Sequence, residues 1–343
     1  MADFYNARGN TYFVASPESI GHFAEIPLSA AEAAMSRSQW AASAIEHICR
    51  RLGGSQGKMF LSDGLLVGPF PDEDDLDTPT SQGRGRRFSM LIVNTDGTLA
   101  ERSGNGLTIF SQFLVDTGRA SRTDPFAVRI YHDKPSFIEA RIESAVRDGR
   151  KGFWIDMGVP RFGPSAVGAS PEHVGISEFE GRRTSRVFAL EEIQESWTSS
   201  QFVNVGNPHC VTFLKDPSHL PSMEQLGSES WMPRLTAIAN STESDGARGE
   251  GCPCRNGINL QWASLLDPNT IAARVFERGE GPTLSSGSSA TAVASAAREL
   301  GLVNATIVNV AMPGGVAPIK FDECDGVLKC VMLFGEAQRT NPR

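Results

Sequence analysis

Two serines stand where a small anion could be held. Ser103 opens the word Ser103-Gly104-Asn105-Gly106 and Ser286 opens Ser286-Gly287-Ser288-Ser289. Each word leads into an apolar run that a glycine closes, Gly118 in one case and Gly301 in the other, at the same interval. A short polar residue followed by such a run reads as an N-cap and a helix start, and the glycine as its stop. Leu107, Ile109, Phe110, Phe113 and Leu114 form the buried face of the first helix, and Ala290, Val293, Ala294, Ala297 and Leu300 that of the second. The amides at a helix start have no partner within the helix, and its dipole favours negative charge. Two matching helices therefore predict two related halves whose helix starts face one carboxylate-sized ligand across a cleft.

The neighbouring words sharpen this into a resemblance. Arg8-Gly9-Asn10-Thr11-Tyr12-Phe13 lies near the start, followed by Asn94-Thr95-Asp96-Gly97. Gly206-Asn207-Pro208-His209-Cys210-Val211, then Glu277-Arg278-Gly279-Glu280-Gly281-Pro282-Thr283 and the turn Pro313-Gly314-Gly315, complete the series. In that order and spread the chain resembles the diaminopimelate epimerase family, within the wider group of proline racemases and PhzF-like isomerases. The resemblance implies an α+β fold of two similar domains, each a mostly antiparallel, barrel-like sheet wrapped around a central helix, with the active site in the cleft between them. It also implies a cofactor-independent isomerase that needs no metal.

The resemblance carries site residues with it. Asn10, Asn94, Asn207 and Asn259 match the family's substrate asparagines, and Glu277 and Arg278 its acidic and basic pair. With the amides near Gly104, Asn105, Gly287 and Ser288 they make a site for a small carboxylate or amino-acid-like substrate. Asparagines beside glycines also suit ordinary turns, and the serines suit capping alone. Both readings stay open at this point.

Ser103 and Ser286 depart from the family, which has cysteines there, working as two bases on opposite faces of a substrate Cα. A thiol near pKa 8.5 can be tuned to a thiolate at a helix start, whereas a serine hydroxyl needs a partner base. Catalysis by Ser103 and Ser286 therefore calls for a base elsewhere, and His209 and Glu277 are the candidates from the resembled fold, with Asp96 behind them. Six cysteines remain, and Leu107 and Ser289 also differ from the family pattern, so natural divergence accounts for the change better than deliberate substitution. Gly64 stands where the family often carries a glutamine that shapes the far end of the pocket, which points away from diaminopimelate itself. Three functions remain: an epimerase or tautomerase moving a proton beside a carboxylate, a same-fold lyase expelling a β-substituent, and a silent carboxylate-binding homologue.

Composition agrees with a cytoplasmic enzyme. The net charge of −8 and the lack of a basic stripe argue against nucleic acid or an anionic membrane as partner. The first residues form no basic-then-apolar leader, and no apolar run reaches membrane-spanning length. Cys252-Pro253-Cys254 is a poor metal motif without a second pair, and the histidines show no ligand spacing. A homodimer is compatible with all of this.

These residues need elements to carry them. Short β-rich runs are expected at 12–14, 65–67, 88–93, 127–131, 153–155, 211–214, 258–262, 271–276, 307–311 and 328–333. A further helix is expected over 30–52. The length of 343 residues suits two domains, 1–132 plus about 330–343 and 133–329. The stretch from Asp72 to Arg87 reads as a solvated loop, and 227–257 as a mobile one that could cover the cleft.

Overall fold

The computed structural model describes residues 2–50, 60–71, 79–80, 83–84, 86–243 and 247–342. The chain divides into two compact units, Met1–Asp156 with Phe334–Arg343, and Met157–Leu333. The first break falls later than the expected 132. The strand that ends at Tyr131 runs on into an antiparallel hairpin, with Val128 opposite Ala140 and Ile142 opposite Ile155, so the sheet claims those residues for the first unit.

In the first unit, β1 (Asp3–Ala7), β2 (Asn10–Ala15), α1 (Ala30–Met35), α2 (Arg37–Ile48), β3 (Gly64–Val67) and β4 (Arg87–Asn94) precede the long helix α3 (Gly104–Asp116). After it come β5 (Phe126–Tyr131), β6 (Ile138–Arg147) and β7 (Arg150–Asp156). Neighbouring strands pair in order, antiparallel except for the parallel pairs β2–β3 and β4–β5. The expected helix over 30–52 is broken at Ser36, whose hydroxyl turns back on the Glu32 carbonyl at 2.7 Å, and residues 51–52 lie outside the described residues.

The second unit repeats that order. Its core strands are β8 (Ser200–Asn204), β9 (Pro208–Phe213), β10 (Asn259–Asp267) and β11 (Thr270–Glu277), then helix α4 (Gly287–Glu299), β12 (Ile307–Met312), β13 (Gly315–Cys324) and β14 (Val327–Gly335). The pairs β9–β10 and β11–β12 are parallel and the other neighbours antiparallel, matching the first unit strand for strand. In both, the long helix is the crossover that joins two parallel strands. β14 begins in the second unit, and its last two residues belong to the first.

The strands β6, β8 and β13 and the hairpin 174–187 were not among the expected runs, and in the hairpin Arg182–Val187 (RRTSRV) is polar on both faces. Among the described part of 227–257, Met232–Ala239 is a helix rather than a loop, held by buried Leu235 and Ile238. Residues 72–78, 81–82, 85 and 244–246 of the two expected loops lie outside the described residues.

The two long helices can be central because three of the hydroxyls they bury are satisfied within the helix, Thr108 on Gly104 O, Ser111 on Leu107 O and Thr291 on Gly287 O. In α3, Gly104 to Leu114 are all buried, and α4 is buried through Ala297 with few interruptions. Both end alike. Gly118 and Gly301 take positive φ, 72° and 65°, and the following amides reach back to Leu114 O and Ala297 O, each at 2.8 Å.

Candidate active site

Ser286 caps α4. Its extended backbone (φ −148°, ψ 126°) lets the hydroxyl oxygen accept from the Ser289 amide at 3.3 Å. The same hydroxyl donates to Glu277 Oε1 at 2.6 Å, and the Ser288 hydroxyl lies 3.4 Å away. Glu277 ends β11, and the amides of Gly287 and Ser288 open the helix without intrahelical partners. A carboxylate, a hydroxyl and bare amides thus meet at one helix start. That set can take a proton and stabilise the anion left behind.

The end of β11 is pinned from two sides. Asn259 accepts from the Arg278 amide at 3.0 Å and donates to the Pro208 carbonyl at 3.1 Å, while Asn240 accepts from the Gly279 amide at 2.9 Å. The exposed Arg278 side chain donates to the Asn256 carbonyl at 2.8 Å.

His209 is fully buried, and both ring nitrogens are occupied. Nε2 meets Asn207 Oδ1 at 2.9 Å and Nδ1 meets Gln261 Nε2 at 3.0 Å. Burial, together with the nearby Arg278 charge, pushes its pKa down to about 3, despite the opposing Gln261 contact. A ring with no free nitrogen and so little affinity for protons is a poor general base, so of the two candidates named from sequence the geometry favours Glu277.

The first unit builds the same frame with other contents. Ser103 caps α3 (φ −142°, ψ 118°) and accepts from the Gly106 amide at 3.0 Å. Asn105 donates its side-chain amide to Asn10 Oδ1. Asn94 ends β4 as Glu277 ends β11, at the same distance in sequence from its capping serine, but it donates to Thr98 Oγ1 at 2.9 Å. Among the described residues no carboxylate is hydrogen-bonded to Ser103. Asp96, the weaker candidate base, spends one oxygen on the amide and hydroxyl of Thr98, at 2.9 and 2.6 Å.

Gly64 is a glycine for a local reason. A Cβ there would stand 2.5 Å from the Val93 carbonyl oxygen and 2.9 Å from the Tyr12 ring, so the paired strands leave no room for a side chain. Gln261, Ser289 and Asn240 were missed by sequence reasoning. The one signal was Ser289, noted as a departure from the family but without a role.

Comparison with known proteins follows this geometry. The family model for diaminopimelate epimerase matches residues 201–340. Diaminopimelate epimerase 2 of Nostoc sp. is 31% identical over 315 residues, covering 91% of this chain and 85% of that protein. A diaminopimelate epimerase of Synechococcus sp. is 32% identical over 241 residues, 69% of this chain and 72% of the relative. Among solved structures, a probable proline racemase from Agrobacterium radiobacter superposes with a TM-score of 0.55 at 11% identity, over 99% of this chain and 90% of the other. A hydroxyproline epimerase from Agrobacterium vitis gives 0.53 at 11% identity, over 99% and 90%. At such identities the structures share the fold.

Proposed function

Because the chain belongs to the diaminopimelate epimerase family of isomerases, we propose that it is a cofactor-independent enzyme that moves a proton at the carbon beside a carboxylate of a small amino-acid-like substrate. The observation that carries this reading is the 2.6 Å bond from Ser286 Oγ to Glu277 Oε1 at the start of α4. A serine hydroxyl alone is too weak an acid and base for carbon acids, but a carboxylate partner removes that objection. The C–H proton passes to Ser286 Oγ as the serine's own proton passes to Glu277, and the bonding pair moves into the substrate carboxylate. The growing negative charge meets the amides of Gly287 and Ser288. His209 stays neutral and takes no proton.

The side chain of the substrate differs from that of diaminopimelate in this proposal, since no residue at position 64 can reach a distant head group. Partners other than a small carboxylate are not required, and neither is a metal.

The test is proton NMR in deuterium oxide with alanine, glutamate, lysine, diaminopimelate, proline and 4-hydroxyproline in both configurations. Loss of the Cα proton signal in the wild type, absent in Glu277→Gln, supports the proposal. Exchange that survives Glu277→Gln would end it. A second reading, elimination of a β-substituent, is favoured by one observation: among the described residues no carboxylate is hydrogen-bonded to Ser103, so none of them provides a second base for reprotonation there. An unsaturated product in the same spectra identifies that outcome.

A further inference from the structure

The second unit contains a buried polar chain that its counterpart lacks. Gln261 on β10 donates from one nitrogen to both His209 Nδ1, at 3.0 Å, and Ser289 Oγ, at 3.1 Å. Gln261, His209 and Ser289 are each at most 1% exposed. At the equivalent places of the first unit stand Leu66, Tyr12 and Gly106, and a Cβ on Gly106 would lie 3.4 Å from Leu66 Cδ2. The fold therefore packs without such a chain.

The bonding sets directions. The Gln261 nitrogen has two hydrogens, and both are used, so His209 Nδ1 is the acceptor and carries no proton. A neutral ring then holds its proton on Nε2 and donates to Asn207 Oδ1 at 2.9 Å. Asn207 is left with its NH2 group to offer. Rotating the Gln261 amide by half a turn would reverse every step and leave Asn207 offering its carbonyl. The observed orientation leaves Gln261 Oε1 as the only unmet group of that amide, whereas the reversed one would leave two N–H donors unmet, and orphaned donors are the rarer case. The nearby Arg278 charge and complete burial both oppose a protonated ring, which would force the reversed state.

The first unit reaches the same result by other means. Asn10 holds the place of Asn207, in Gly9-Asn10 against Gly206-Asn207, and its Oδ1 accepts from Asn105. Both asparagines thus have their oxygens taken from within their own unit, and among the described residues their side-chain nitrogens are left over.

We infer that Gln261 and Ser289 are positioning residues that fix the Nε2–H tautomer of His209, and through it turn the Asn207 NH2 toward an acceptor, a substrate carboxylate rather than an ammonium group. This rests on the reading of Asn207 as a substrate contact under the proposed function. Two NMR measurements on the full chain separate the two ideas. With 15N-labelled histidine, long-range 1H–15N correlation should show His209 as the neutral Nε2–H tautomer from about pH 8 to about pH 5, while an exposed histidine titrates near 6.5. Gln261→Glu, whose carboxylate can only accept, should move the proton to Nδ1 or charge the ring, and Ser289→Thr should retain the wild-type state. An Nδ1–H or charged ring in the wild type at neutral pH overturns the relay without recourse to any variant, as does a wild-type tautomer persisting in Gln261→Glu.

With 15N-labelled asparagine, sodium acetate should shift the Asn207 side-chain NH2 signals in the wild type, with the shift reduced about tenfold or more in Gln261→Glu. A wild-type Asn207 indifferent to acetate, with the tautomer as expected, overturns the carboxylate assignment and with it that part of the proposed function.

Discussion

The two units share one frame and differ in the chemistry it carries. Each places an asparagine after a glycine at the start of its second core strand, a capping serine on a central helix, and a polar residue at the end of the strand before that helix. In the second unit that last residue is Glu277, bonded to Ser286 at 2.6 Å. In the first it is Asn94, which bonds Thr98 and cannot accept a proton at working pH. The lesson is that equal capping geometry can leave two serines with different partners. Both hydroxyls hold a helix amide, and among the described residues only that of Ser286 has a carboxylate to receive its hydrogen.

The helices themselves point the same way. α3 fills its sheet with Leu107, Ile109, Phe110 and Phe113, while α4 does so with alanines and buries Ser289, Thr291 and Ser295 among them. Ser289 gives Gln261 a hydroxyl to bond, whereas in the first unit the matching places are Gly106 and Leu66, which have no polar side chain to offer.

The contrast can be broken most directly at Glu277. Glu277→Gln keeps the shape and removes the base, so Cα exchange in deuterium oxide should fall about 10²–10⁴-fold. Ser286→Ala removes the atom that takes the C–H proton, so exchange should fall by a similar factor, with about 1 kcal/mol lost in denaturant stability from the missing cap. Equal exchange losses from Ser103→Ala and Ser286→Ala would show that the asymmetry has no functional meaning.

A pH measurement tests the buried ring. His209 has a folded pKa lowered to about 3, below the unfolded value near 6.5. The unfolded state therefore binds the extra proton first as pH falls. Its contribution is absent above about pH 6.5 and costs stability progressively on the way down, about 2 kcal/mol by about pH 5. Urea unfolding across that range should show the loss, and His209→Gln should flatten that part of the curve.

The smallest effect is expected where the comparison is sharpened rather than broken. Ser103→Ala should cost about 1 kcal/mol of stability, as any lost serine cap does, and little exchange activity. With both serines intact, Asn94→Glu would put a carboxylate at the place that Glu277 holds in the second unit. The expected result is a modest rise in Cα exchange, read by the same NMR assay, and a fall would mean that Asn94 serves the substrate as an amide.

Much of this was open to reading along the chain. Apolar runs between turn residues marked most core strands, since an inward face needs Val, Ile, Leu and Phe whatever its partners. The helix starts at Ser103 and Ser286 and their stops at Gly118 and Gly301 were equally plain, because capping is a local matter of one hydroxyl and one positive φ. Ordered motifs across most of the length carried the family resemblance. Polar strands such as Arg182–Val187 were hidden, as was the break at Ser36, because neither leaves a period of apolar residues.

Contacts between residues far apart in sequence were decided only by tertiary structure. That Glu277 rather than His209 has a hydroxyl to work with depends on where β11 ends beside α4. In sequence His209 and Glu277 are both candidate bases. Folding buries His209 between Gln261 and Asn207, which takes away both nitrogens and most of its basicity. Sequence supplies the intrinsic acidity of each group and the local turns that hold it. The desolvation and the hydrogen-bond partners that set its working chemistry come from residues brought together by the packed sheet and helix.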